Sequence, residues 1–182
     1  LADTRGMAEL DVKTAGAANR RDSGMVWSAA RSGSAVRGSR GGDTQYVNMH
    51  RAYDELPRET KSRLGGRKAI HVYQSRHSAR RLMDLSPESR SRIPDAVAHP
   101  IVRTHPESGR KAIYINPIRT EGIVGMPETE ALSLLADLLE HATRPQYQYR
   151  HRWRPGDLVM WDNRSLLHKA NGDYDMNQLR YL

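Results

Sequence analysis

The chain has no cysteine and no phenylalanine in its 182 residues. Without cysteine there is no disulfide framework, no thiolate metal site and no cysteine nucleophile, which agrees with a reducing cytoplasm as the expected location. Without phenylalanine, the 8 Tyr and 3 Trp must supply the aromatic packing. No apolar run reaches the roughly 20 residues that a membrane-spanning helix requires, so no membrane partner is expected. The opening residues, Leu1-Ala2-Asp3-Thr4-Arg5, carry neither an initiator Met nor a secretory apolar region. They read as a fragment or a trimmed start of a protein that is not exported.

Charge is abundant. Charged residues make up 27% of the chain, and the formal net charge is +8. That balance admits nucleic acid or an anionic surface as a partner. The basic residues are scattered, however, and an enzyme for anionic substrates carries excess Arg too. A basic nucleic-acid-binding module is therefore the remote alternative, and no nucleic acid is expected. The length fits one domain, or most of one, with a real core.

The text of the chain is uneven. Residues 1–24 mix Ala, Arg and Asp without a period. Residues 28–40 are small residues and Arg, with Val36 the only sizeable apolar side chain. Such a stretch buries too little apolar surface to offset its ordering entropy, and is expected to be disordered or loosely laid on the surface. From Gly41 the pattern changes. Thr44 to Met49 reads as a strand, a helix starts near His50, and a second runs from Pro57 to Leu64 before Gly65-Gly66. Residues 69–73, 98–104 and 111–115 read as extended, the last two bracketing a turn at Pro106-Glu107-Ser108-Gly109. Residues 127–142 form the strongest helix, with Ala131, Leu135, Leu138 and Ala142 as its stripe, widened by Leu132, Leu134 and Leu139. Tyr147, Tyr149, His151 and Trp153 alternate with polar residues as a half-buried strand does. Pro155-Gly156 then turns the chain into a strand at 157–161. Short strands, polar turns and one strong amphipathic helix argue for a mainly β sandwich or jelly roll with helical insertions.

Three motifs carry chemistry. Pro155-Gly156-Asp157 leads through the strand to Trp161-Asp162-Asn163-Arg164 and then His168, with Arg180 twelve residues further on. Gly41-Gly42-Asp43-Thr44 stands far upstream, and His99-Pro100-Ile101-Val102-Arg103-Thr104-His105-Pro106 lies between. His99 with His105, and His71 with His77, are spaced as conceivable metal pairs, but no carboxylate completes either, so turn or supporting roles are expected. The aromatic and basic run at 147–153 admits base stacking, though a strand with one buried aromatic face explains it more simply.

In their order and separation, these motifs resemble the TauD/TfdA family of Fe(II)- and α-ketoglutarate-dependent dioxygenases over residues 41–182. The resemblance implies a double-stranded β-helix, or jelly roll, similar to clavaminate synthase and here partial. It implies Fe(II) as cofactor and α-ketoglutarate as cosubstrate. The reaction would hydroxylate a small anionic organic substrate with O2, releasing succinate and CO2. It implies His168 as an iron ligand, and Thr44 and Arg180 as the residues holding the cosubstrate's distal carboxylate. A guanidinium suits that role because its planar fork pairs two oxygens at once. Trp161 is expected to pack near the site, Asn163 to support its turn, and the protein to self-associate as a homo-oligomer.

One half of the implied iron site is missing. Non-haem Fe(II) oxygenases of this kind bind metal through two His and one carboxylate, and the family places His-x-Asp shortly before the Gly-Gly-Asp-Thr turn, often after a Trp. Here Met25-Val26-Trp27 is followed by Ser28-Ala29-Ala30, so Ser28 stands in place of His and Ala30 in place of Asp. No His precedes His50. The reading is therefore an atypical or aberrant segment over 1–40, of the kind a misread GC-rich frame yields, followed by an incomplete dioxygenase domain over 41–182. A catalytically inactive dioxygenase-like fragment or pseudoenzyme is the alternative to an active enzyme.

Overall fold

The computed structural model describes residues 27–31 (as backbone), 42–82, 84–154 and 157–173. In chain order the elements are β1 (Trp27–Arg31), β2 (Thr44–Asn48), α1 (Met49–Asp54), α2 (Arg58–Leu64), β3 (Lys68–His71), α3 (Pro87–Ser91) and β4 (Val97–Pro100). They continue with β5 (Val102–Thr104), β6 (Lys111–Ile113), β7 (Thr120–Ile123), α4 (Glu128–Ala142), β8 (Gln148–His151), β9 (Leu158–Asp162) and β10 (Leu166–Ala170). The chain is thus rich in short strands, with one long helix, as its pattern implies. Among the described residues no helix is long and apolar enough to cross a membrane.

Two compact units divide the chain. The first draws on residues 1–47 and 148–182. Its strands make one sheet in the order β10-β2-β8 and an antiparallel pair of β1 with β9. In the antiparallel pairing of β2 with β8, Thr44 faces His151, Gln45 faces Arg150 and Tyr46 faces Tyr149. Side chains alternate between faces along a strand. Thr44, Tyr46, Tyr149 and His151 therefore share one face, while Gln45, Val47, Gln148 and Arg150 share the other. The Gln45 amide donates to the Gln148 side chain at 3.1 Å on that second face.

The strand β1 corrects one expectation. Part of the small-residue stretch read as unable to order forms a strand, Trp27–Arg31, paired along its whole length with Leu158–Asp162. Ladder hydrogen bonds use the backbone, so pairing with an existing strand asks little of the side chains. The rest of that stretch lies outside the described residues.

The second unit, Asn48–Tyr147, holds a three-stranded sheet in the order β4-β3-β7 and the β5–β6 hairpin. The hairpin closes over Pro106–Gly109, where Gly109 adopts φ 69°, a conformation that costs glycine little. Helix α4 packs on β7, and α1 packs on β6. The residues of α4 that become buried are Ala131, Leu134, Leu138, His141 and Ala142. Leu134, in the widened part of the stripe, is thus buried, while its neighbour Leu135 is only partly so. Each buried Leu contributes about 1.5–3 kcal/mol. The His141 ring meets the Ala52 carbonyl at 2.8 Å, and the Tyr147 hydroxyl donates to Glu55 at 2.9 Å, which ties α4 and the turn after it to α1. Three large side chains the core buries, Tyr46, Tyr147 and Trp161, are aromatic in a chain without Phe.

Candidate active site

The site grows from the turn that starts β2. Gly42 sits at φ 69°, which favours glycine, and its N–H donates to Asp173 at 2.7 Å. The Arg150 guanidinium then bridges two carboxylates, Asp43 at 2.7 Å through Nε and Asp173 at 2.8 Å through Nη2. The Asn171 N–H closes the ring on the Asp43 carbonyl at 2.9 Å. The Gly42 N–H, with Arg150 after it, holds the Asp173 carboxyl below the usual carboxylate range, and the two carboxylates raise the pKa of Arg150. This clamp fixes the turn that sends Thr44 to the inner face.

Thr44 is buried and accepts a hydrogen bond from the Trp153 indole at 3.0 Å. An indole N–H can only donate, so it takes one oxygen lone pair and leaves the threonine O–H to donate elsewhere. Two residues on, Tyr46 is 1% exposed. Its ring lies 5.4 Å from Trp161, 6.3 Å from His168 and 6.4 Å from Tyr149, centroid to centroid. Burial pushes its pKa up to about 12, so it stays a protonated donor at neutral pH. Its hydroxyl is buried with no hydrogen-bond partner among the described residues.

His168 comes from β10, and the turn before it is locked. Arg164, 5% exposed, forks onto the Asp162 carboxylate at 2.8 and 2.9 Å through Nε, and its N–H donates to the same group at 2.8 Å. The Trp161 indole donates to the Asn163 side chain at 3.0 Å, so Asn163 does support this turn, and Trp161 lies 5.1 Å from the His168 ring. His168 keeps an exposed edge, yet the crowding of Tyr46 and Trp161 lowers its pKa by desolvation. At neutral pH it is an uncharged imidazole, the form that binds metal. His151 completes the face. Its ring stacks edge-on with Trp153 at 4.6 Å, and Nε2 lies 3.1 Å from Asp157 without hydrogen-bond geometry.

Thr44, Trp161 and His168 are therefore brought together around Tyr46, while Arg180 lies outside the described residues. Tyr46, Trp153 and the Asp43–Arg150–Asp173 clamp escape the motif reading. The alternation of 147–153 does signal that Trp153 shares a face with Tyr149 and His151. The other histidines regroup. His71 meets His99 at 5.4 Å and Tyr114 at 5.5 Å, instead of His77. Burial, with His99 and Arg119 nearby, pushes the His71 pKa down to about 4. His105 accepts the N–H groups of Glu107 and Ser108, the turn role expected of it. His77 lies 3.9 Å from Glu121 and 3.7 Å from Glu128, but Arg76 pairs with both carboxylates and supplies the cation there.

The donor set of the described residues does not fit an iron centre. Among the described residues no three His, Cys, Asp or Glu side chains come together as a metal group. In β1, Ser28 stands opposite Trp161 and Ala30 opposite Val159. An alanine side chain has no ligand atom at all.

Comparison with known proteins identifies relatives of this chain. Residues 21–182 match the taurine catabolism dioxygenase TauD, TfdA family. The chain is 44% identical over 142 residues to an α-ketoglutarate-dependent 2,4-dichlorophenoxyacetate dioxygenase of Cupriavidus pinatubonensis, covering 78% of this chain and 48% of that protein. It is 35% identical over 146 residues to pentalenolactone F synthase of Streptomyces arenae, covering 71% and 46%. Among solved structures, AAD-2 in complex with Mn(II) and N-oxalylglycine superposes with a TM-score of 0.73 at 33% identity, over 86% of this chain and 60% of that one. A taurine dioxygenase from Burkholderia xenovorans gives a TM-score of 0.67 at 31% identity, over 82% and 46%. The chain spans about half the length of the curated relatives it matches. With the match running over most of the chain, and with Thr44, Trp161 and His168 gathered on one unit, the chain belongs to the TauD, TfdA dioxygenase family.

Proposed function

We propose that the fold is the double-stranded β-helix of an Fe(II)- and α-ketoglutarate-dependent dioxygenase for a small anionic organic substrate, and that this chain retains the keto-acid-binding face without the iron-binding set. The observation that carries the reading is the inner face of the β10-β2-β8 sheet, where Thr44 and Tyr46 lie beside Trp161 and His168. The two sheets of the first unit and the likeness to AAD-2 support the fold. α-Ketoglutarate dependence stands in the name of the 2,4-dichlorophenoxyacetate dioxygenase that the chain resembles, which supports that acid as the ligand.

Each residue has a role. The Trp153 indole holds the Thr44 hydroxyl so that its proton points to the distal carboxylate of the acid. Arg180 pairs the same carboxylate through its fork. The Asp43–Arg150–Asp173 clamp keeps Thr44 in register. His168 offers one neutral imidazole. The family reaction, hydroxylation coupled to conversion of the keto acid to succinate and CO2, needs three protein ligands on its iron, and Ser28 and Ala30 supply none. As it stands, the chain is the catalytically silent form, binding the acid without turning it over.

Direct binding tests this reading. One hydroxyl hydrogen bond and one guanidinium pair to a charged carboxylate, without metal chelation, give a dissociation constant on the order of 1 mM. Two-dimensional NMR of the indole N–H signals should show α-ketoglutarate shifting the Trp153 resonance. α-Ketobutyrate, which lacks the distal carboxylate, should leave it in place. Equal responses to the two acids would mean that the distal carboxylate is not recognised here.

A further inference from the structure

Tyr46 is the least explained polar side chain of the site. Its ring needs no hydroxyl to fill the space between Tyr149, Trp161 and His168. The hydroxyl is nonetheless there, inside a residue that is 1% exposed, with no partner among the described residues. Buried hydroxyls in folded proteins are almost always hydrogen-bonded, because an unmet donor forfeits its water without replacement. An orphan at a ligand-binding face points to an acceptor that arrives with the ligand.

The neighbours narrow the choice of acceptor. Thr44 is on the same face two residues away and close enough to the phenol to counter part of its pKa rise, yet the phenol meets no partner with hydrogen-bond geometry, and the Thr44 oxygen already receives the Trp153 indole. The Tyr149 hydroxyl is engaged at 3.3 Å with His151 Nδ1. Two O–H donors, from Thr44 and Tyr46, are therefore left on adjacent inward positions of one strand. A group with two acceptor oxygens on one carbon matches that pair. A metal cation matches it poorly, since a neutral hydroxyl and a neutral phenol are weak ligands beside imidazole or carboxylate.

We infer that the Tyr46 hydroxyl is a further binding residue of this site, donating to the second oxygen of the carboxylate that Thr44 holds. The inference rests on the reading of Thr44 as an anchor of a keto-diacid. It adds a donor that no sequence motif singles out, and it makes the acid's distal end, not its keto end, the part this chain recognises most closely.

The test compares Tyr46→Phe and Thr44→Val with the unchanged protein, using α-ketoglutarate and α-ketobutyrate as probes and NMR titration as the readout. Tyr46→Phe keeps the ring, so the fold is preserved, and it removes the orphan hydroxyl. The expected result is an affinity for α-ketoglutarate about tenfold weaker, with α-ketobutyrate unaffected. The melting midpoint should rise by about 2–4 °C, because an unmet polar group has been removed from the free protein. Unchanged α-ketoglutarate affinity in Tyr46→Phe, with Thr44→Val weakened, overturns the inference and leaves the anchor reading standing. The reverse pattern supports Tyr46 and overturns the anchor role of Thr44. No binding by the unchanged protein, or no effect of either substitution, overturns both. A lower melting midpoint in Tyr46→Phe with unchanged affinity also overturns the inference, because the hydroxyl is then satisfied without ligand.

Discussion

Trp153 shows how one donor-only side chain sets the direction of a neighbouring proton. Its indole fixes the Thr44 oxygen at 3.0 Å, and replacing it with Phe leaves that hydroxyl free to rotate. Trp153→Phe should weaken α-ketoglutarate binding by about three- to tenfold, the worth of one ordinary hydrogen bond. Trp153→Phe combined with Thr44→Val should be no weaker than Thr44→Val alone, which titration of both variants checks. His71 gives a residue-scale prediction about stability. Its pKa falls from 6.5 to about 4 on folding, through burial first and then through His99 and Arg119, and the His99 pKa is lowered too. Between those values the unfolded chain binds the proton that the folded protein refuses. Stability from this group is therefore complete above pH 6.5 and is lost as pH falls toward 4. After discounting for solvent screening, about 1–2 kcal/mol should disappear between pH 7 and pH 4.5. Urea denaturation should show that slope, and His71→Asn should flatten it.

Helix α4 is the element whose packing is most sharply defined. Leu138 is 1% exposed, whereas Leu135 is only half-buried. Leu138→Ala should cost about 2–5 kcal/mol and Leu135→Ala no more than about 1–2 kcal/mol, measured by equilibrium unfolding. The stripe was legible in the sequence because Leu and Ala recur at helical spacing, but Leu134 and Leu135 are adjacent leucines. Which of them turns inward depends on where β7 lies, and sequence spacing does not contain that. Strands β2, β5, β6, β8 and β9 were legible from alternation and from their turn residues. Strand β7 was not, because Thr-Glu-Gly-Ile has no apolar alternation and carries a glycine. Strand β10 was hidden for a related reason: Leu-Leu-His-Lys-Ala pairs with β2 through its backbone, and only His168 marked it as interesting. Helix α3 has no buried residue at all and rests on its Ser86 cap and Pro87, a local signal inside what reads as a polar stretch. In the site, His168 and Thr44 were legible as motif members. Tyr46 and Trp153 gain their meaning from the register of β2 against β8.

At the scale of the whole chain, two properties stand apart. The proposed acid-binding face is braced, with its turn clamped by Arg150 and its histidine set by the Arg164–Asp162 fork. On the same proposal the metal-binding set is incomplete among the described residues, because Ser28 and Ala30 stand in β1 where the resemblance implies ligands. Substituting both, Ser28→His with Ala30→Asp, should give the chain a measurable affinity for Fe(II) that the unchanged protein lacks, read by competition with a chromophoric chelator. The most direct test of the account is an anaerobic titration of the unchanged protein with Fe(II) in the presence of saturating α-ketoglutarate. The visible charge-transfer absorption of an iron–keto-acid complex is followed throughout. The expected result is no band at any iron concentration, while NMR of the same sample still shows the acid bound. A band that saturates at one iron per chain would contradict it, and would mean that this chain holds a complete metal site.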